Sequence, residues 1–229
     1  MTTRELWREI MHYGQSDRLP VVHWTEWPET RERWYGEGLP RDVNHTGGIR
    51  HFFGAVPHWD KIGINDNLYP GFEEETVEDT AEYRIFRDAD GEIKQDWKHR
   101  SCIPHFIDWT LKSADDWPEY KKRLQPDPAR IPKDIDERIR RAEDAGHVIA
   151  LPGGSMMGWI RNWMGVENMS YLMYDAPDCY EDMVNTIADL VCWGIDQIAP
   201  RLNAPADLCH AWEDICGKSG PLVSPAIFE

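Results

Sequence analysis

The chain has 229 residues, 41% of them hydrophobic and 11% aromatic, enough apolar side chain for one large or two small packed cores, which excludes a disordered chain. Its 41 acidic residues against 25 basic ones give a formal net charge of -16, which excludes a general nucleic-acid binder or a protein held on anionic lipid, because both are bound through excess Lys and Arg. No run of about 18 apolar residues exists, and the first ten residues hold no signal-peptide apolar region, so a soluble cytoplasmic protein without a membrane partner is expected.

Residues 3–13 place Leu6, Trp7, Ile10 and Met11 at helical spacing behind a Thr3 cap, and residues 19–24 read as a short buried strand. A second helix enters at Pro28, carries Glu29 and Glu32 in its first turns and stops at Gly36 and Gly38. Residues 73–110 change character: extended stretches at 80–87 and 92–99 flank Asp88-Ala89-Asp90-Gly91, and a third runs over 103–110, which predicts an inserted antiparallel ribbon. Helical signals return at 115–124 and 132–145, and His147-Val148-Ile149-Ala150-Leu151 is a compact apolar strand ending in the turn Pro152-Gly153-Gly154-Ser155, with a helix directly after it.

The strongest helical pattern follows, with Asp175 as cap, Pro177 at the entry and an apolar stripe from Tyr180 through Met183, Ile187, Leu190 and Val191 to Ile198. Residues 206–211 read as a strand, 212–223 as a loop, and Ser224-Pro225 opens a helix with four residues of chain left to it. Strands alternating with helices imply parallel pairing through right-handed crossovers, as in a doubly wound sheet or a barrel. No GxGxxG or Walker A pattern occurs, which weakens the nucleotide-binding sheet.

Polar residues cluster just past the predicted strand ends: His23 and Glu26 after the first, Ser155 and Arg161 after the 147–151 strand, and Glu213, Asp214 and Lys218 after the last. In a parallel barrel such positions share one mouth, where carboxylates, an imidazole and a few cations suit proton transfer or oriented binding. Trp24 and Trp212 lie in the same segments as candidate flat walls for a small-molecule substrate. The five cysteines, odd in number and in no CxxC pair, argue against a disulfide framework and a zinc ribbon. Cys209 and His210 are adjacent on a strand and point to opposite faces, which speaks against a zinc site made with Cys216, so no metal ligands are assigned.

The tract Trp212-Glu213-Asp214-Ile215-Cys216-Gly217-Lys218-Ser219-Gly220-Pro221 resembles the loop F-D-S-x-A-G-x-x-G-P after the fourth barrel strand of uroporphyrinogen decarboxylases, with Asp214 in the place of that family's substrate-contacting serine. Asp17-Arg18-Leu19-Pro20-Val21 is similar to the family's D-R-x-P-V entry, and Pro152-Gly153-Gly154-Ser155 to its third-strand glycine turn. The resemblance implies an α/β fold, a (β/α)8 TIM-type barrel of which 1–229 form a single incomplete domain of about the first half, with the 73–110 ribbon inserted. A half-barrel of this kind is expected to self-associate as a homo-oligomer or to need its missing C-terminal half.

The family's M-R-Q-A-G-R, whose arginines hold porphyrinogen carboxylates, is replaced here by a segment with His23, Trp24 and Glu26, so the resemblance points away from porphyrinogen decarboxylation. It points to the corrinoid-dependent methyltransferase branch of the superfamily, and so implies a corrinoid cofactor and a corrinoid protein as partner. Zinc is implied as well, although that branch's His-x-Cys pair does not occur in this chain. In this reading Asp214, Glu213, His23 and Asp66, the last at the place of the family's catalytic aspartate, are the catalytic candidates. Trp24, Glu26, Ser155, Arg161, Trp212 and Lys218 bind substrate. Alternatives are a decarboxylase of a tetrapyrrole or other small acid, and a non-catalytic half-barrel.

Overall fold

A computed structural model describes residues 1–228. Along the chain the helices are α1 (Thr3–Met11), α2 (Pro28–Gly36), α3 (Thr46–Phe52), α4 (Trp117–Lys121), α5 (Ile135–Asp144), α6 (Gly158–Asp175), α7 (Pro177–Ile198) and α8 (Pro225–Phe228). The strands are β1 (Asp60–Lys61), β2 (Glu75–Asp79), β3 (Tyr83–Arg87), β4 (Glu92–Trp97), β5 (His105–Trp109), β6 (Ile149–Pro152), β7 (Leu208–His210), β8 (Cys216–Gly217) and β9 (Gly220–Pro221). The fold is mixed α/β, with a parallel sheet in the order β1-β6-β7 and an antiparallel sheet in the order β2-β3-β4-β5. Among the described residues the parallel strands do not close into a barrel.

Two compact units share the chain. The first takes Met1–Ile62, Lys133–Leu151 and Ala199–Cys209; the second takes Gly63–Pro132, Pro152–Ile198 and the chain from His210 onward.

In the first unit the cap of α1 lies one residue earlier than predicted: Thr2 is the N-cap and Glu5 reaches back to it in a capping box, because Thr2 Oγ1 is the group that meets the Glu5 N–H. The Asp60 N–H donates to Val148 at 2.8 Å and the Ile62 N–H to Ala150 at 3.0 Å, which sets the parallel register of β1 on β6. Asp207 ties this sheet to α1. Its carboxylate accepts the Ile149 N–H at 2.8 Å, Arg4 Nε at 2.8 Å and Arg8 Nε at 2.6 Å, with a side chain only 5% exposed. Burial alone would raise its pKa, and the Ile149 N–H and the two guanidiniums outweigh that and hold it below the ordinary aspartate value.

The strand expected at 19–24 reduces to one parallel bridge, Val22 to Val56, with Leu19 and Val21 exposed. An apolar run becomes a strand only where a neighbour takes up its backbone groups, and among the described residues only the Val21 carbonyl takes a strand-like bond here, from the Val56 N–H at 2.8 Å. Helix α3 was hidden from pattern reading by Gly47-Gly48 in its first turn, where the His45 ring nitrogen caps the Gly48 N–H at 3.1 Å.

In the second unit the ribbon has four strands rather than the expected three. Thr80 belongs to the β2–β3 turn, its hydroxyl bonded to Tyr83, which frees Glu75–Asp79 as an added, wholly exposed edge strand. Glu75, Glu78 and Asp79 put three charges on that edge, a common protection against pairing with other chains. Helix α7 buries Met183, Ile187, Leu190, Val191 and Ile198 along the expected stripe. Asp175 is the last residue of α6 and not the cap of α7, since the helix continues until Ala176 takes a non-helical conformation at φ -143°. Arg130, 1% exposed, organises the loop before the ribbon by donating to the carbonyls of Asn65, Asn67, Arg123 and Gln125.

Candidate functional site

The chain leaves the parallel sheet at Pro152 and at His210, the last residues of adjacent strands, and the two loops that follow interlock within the second unit. The Gly153 N–H donates to the His210 carbonyl at 2.7 Å and the Trp212 N–H to the Gly154 carbonyl at 3.1 Å, while the buried Ser155 hydroxyl donates to the Trp212 carbonyl. Gly154 is required at its position: φ is 70° and a Cβ would come within 2.6 Å of Val191. Ser155 therefore acts as a clasp between the loops.

Glu213 sits at the start of α6. One carboxylate oxygen accepts the Met156 N–H, and the other accepts the N–H groups of Met157 at 3.3 Å and Gly158 at 3.0 Å. These are among the backbone donors that a helix start leaves without partners, and the helix dipole favours a negative charge there. Burial, with the Glu213 charge acting in the same direction, pushes the Tyr180 phenol up to about 12.

Asp214, the next residue, faces a different neighbour. Its Oδ2 accepts from Arg161 Nη1 at 2.9 Å, and Arg161 also donates to Asn162 Oδ1 from Nη2 at 3.1 Å. The Arg161 side chain is 20% exposed and that of Asp214 is 55% exposed. This pair borders an open cleft of about 430 Å³ whose other walls include Phe106, Trp109, Val166 and Leu222. At Gly165 the backbone of α6 leaves helical geometry, with φ 78° and ψ 157°, a region that only glycine occupies readily. A Cβ there would lie 2.9 to 3.1 Å from the Trp109 ring, so the missing side chain lets the ring lie against the kinked helix. Among the described residues the buried Trp109 indole N–H has no hydrogen-bond partner.

Of the residues predicted from sequence, the structure thus brings together Ser155, Arg161, Trp212, Glu213 and Asp214. Trp212 is 47% exposed and Lys218 stands exposed at the tip of the β8–β9 hairpin. Asp66 is buried in the loop around Arg130 and is not among the residues lining the cleft.

His23, Trp24 and Glu26 belong to the first unit and form a cluster of their own. His23 Nε2 meets Glu26 Oε2 at 2.8 Å, and Arg31 donates to the other Glu26 oxygen from Nε at 3.0 Å and from Nη2. Burial would raise the Glu26 carboxyl, but the hydrogen bonds from His23 and Arg31 overcome it and lower the pKa. Trp24 stacks on His58 at 6.0 Å with the rings 9° apart, and Arg50 holds the backbone carbonyls of His23 and Trp24 at 2.7 and 2.9 Å.

Sequence reading did not find Phe106, Trp109, Asn162 and Gly165. The one signal was Gly165 itself, a glycine inside a helical pattern with no packing reason visible in the sequence. Among the described residues no group of three or more His, Cys, Asp and Glu side chains could hold a metal ion. Cys209 and Cys216 are exposed thiols, all five cysteines are free of disulfides, and among the described residues no helix is long and apolar enough to cross a membrane. Comparison with protein families, with curated proteins and with solved structures finds no match to this chain.

Proposed function

We propose that the β1-β6-β7 sheet is an arc of a (β/α)8-type barrel of the uroporphyrinogen decarboxylase superfamily, and that the protein is a methyltransferase-type enzyme binding a small molecule in the Arg161–Asp214 cleft. The observation that carries this reading is the interlocking of the two loops that follow β6 and β7, since in parallel α/β architectures ligands gather at the carboxyl ends of the strands. Phe106, Trp109, Val166 and Leu222 keep water from the apolar part of a ligand, Arg161 and Asp214 orient its polar end, and Glu213 and Ser155 fix the loops that present them. About 430 Å³ is the size of a small-molecule site, not of a corrin macrocycle, so a corrinoid is best delivered by a separate protein and none of these residues is assigned to hold it. Its chemistry, when bound, is to accept or donate the methyl group. The zinc of the methyltransferase branch finds no ligand set among the described residues, and no step is assigned to it.

Decarboxylation of a tetrapyrrole with many carboxylates fits less well. Among the described residues that line the cleft Arg161 is the sole cation, and Asp214 already neutralises it.

The test is incubation of the whole protein with a reduced corrinoid and a panel of small methylated donors, followed by the absorbance of the methylated corrinoid. Formation that drops at least about tenfold in Asp214→Asn supports the reading. Release of carbon dioxide from a carboxylated substrate, with no methylated corrinoid, replaces it by the decarboxylase. Turnover unchanged in both Asp214→Asn and His23→Ala removes the cleft and the His23 cluster alike from the chemistry.

A further inference from the structure

We infer that the Arg161–Asp214 cleft binds a zwitterion with a planar apolar body, of which an aromatic α-amino acid is the simplest form. This rests on the reading of the cleft as the ligand site, though not on methyl transfer.

The polar end of the cleft is an ion pair of zero net charge: Arg161 Nη1 to Asp214 Oδ2 at 2.9 Å. A ligand bearing only an anion has either to share Arg161 with the Asp214 carboxylate or to expel it, and a ligand bearing only a cation meets the same difficulty at Arg161. A zwitterion exchanges both partners at once. Its carboxylate takes the guanidinium, its ammonium takes Asp214, and no charge is left facing an apolar wall.

The two halves of the pair are unequal in the way this exchange needs. Arg161 is four-fifths buried and steadied by Asn162 Oδ1, so it stays in place as a fixed fork. Asp214 is more than half exposed on the loop between β7 and β8, and is the half able to swing aside.

Phe106, Trp109, Val166 and Leu222 line the same cleft and match a flat hydrocarbon body, and the two aromatic rings favour an aromatic one. Gly165 makes this wall, because a side chain at that position would push the Trp109 ring away from α6. The chain's charge of -16 adds a general repulsion toward simple anions that a net-neutral ligand does not feel.

The experiment titrates the whole protein with L-phenylalanine, 3-phenylpropanoate and phenethylamine, which share one body and differ only in carrying both charges, the anion or the cation. Binding is followed by calorimetry and by tryptophan fluorescence. The expected result is that phenylalanine binds about tenfold or more tightly than either single-charge probe. In Arg161→Gln its advantage over phenethylamine disappears, and in Asp214→Asn its advantage over phenylpropanoate disappears. Both variants are checked for an unchanged far-ultraviolet spectrum and urea midpoint, and a Trp109→Phe variant, which keeps the aromatic wall, is run if either is misfolded. Equal binding of the three probes, preference for a single-charge probe, or binding of none overturns the inference. Methyl transfer without amino-acid binding sinks this inference alone, whereas amino-acid binding without methyl transfer sinks the methyltransferase reading and leaves this one standing.

Discussion

Glu213 and Asp214 are neighbours in sequence with opposite tasks: one carboxylate is filled by the backbone donors of α6, the other faces a guanidinium at the edge of a cleft. Glu213→Gln keeps the shape and removes the charge at the helix start, so it is expected to lower the urea-unfolding free energy by about 1 kcal/mol. An unchanged midpoint would speak against the capping role. Asp207 works similarly in the first unit. Removing it in Asp207→Ala strands Arg4, Arg8 and the Ile149 N–H, at a cost of roughly 3 kcal/mol. Because its folded pKa is depressed, the charge-dependent part of this stabilisation is complete above the ordinary value of 3.8 and is lost as pH falls through the lower folded-state value. Urea midpoints of wild type and Asp207→Asn should therefore differ at pH 7 and converge under strongly acidic conditions.

Among the elements, α6 and the ribbon hold the least economical features. Gly165→Ala combines a forbidden backbone conformation with a clash against Trp109, and should destabilise the protein by roughly 2 kcal/mol while shifting the fluorescence of the Trp109 wall. Glu92, 4% exposed in β4, is pushed up to about 7, chiefly by burial, with Lys94 opposing. The sign follows from the raised value: the stability tied to its neutral form is complete below the ordinary 4.5 and is lost as pH rises through about 7. Glu92→Gln should accordingly unfold at higher urea than wild type at pH 8, with the difference gone near pH 4.

Legibility from sequence followed periodicity. The α7 stripe, the 147–151 strand and the two ribbon strands around Asp88-Ala89-Asp90-Gly91 declared themselves because one face is buried and the spacing repeats. The 19–24 run misled because apolar content does not supply a neighbouring strand, and α3 stayed hidden because two glycines mask a helix held by its His45 cap. In the site, Ser155, Arg161, Glu213 and Asp214 were legible as polar residues after strand ends. Trp109 was not, since its distance in sequence from α6 gives no hint that Gly165 makes room for it.

For the molecule as a whole, 41 acidic against 25 basic side chains mean that self-repulsion works against the folded state. Raising the salt from about 0.1 M to about 1 M shortens the screening length from about 10 Å to about 3 Å. The thermal midpoint should rise with it; a fall would show that the ion pairs at Asp207, Glu26 and Asp214 outweigh the repulsion. Each compact unit is assembled from three separated stretches of chain, with passages at residues 62–63, 132–133, 151–152, 198–199 and 209–210. On a ribosome this arrangement sets a schedule. The Asp207 carboxylate that clamps Arg4 and Arg8 is among the last parts of the first unit to be made, so α1, synthesised earlier, waits for some two hundred residues before its partner arrives. During that wait the β6 edge that β7 will cover stays open.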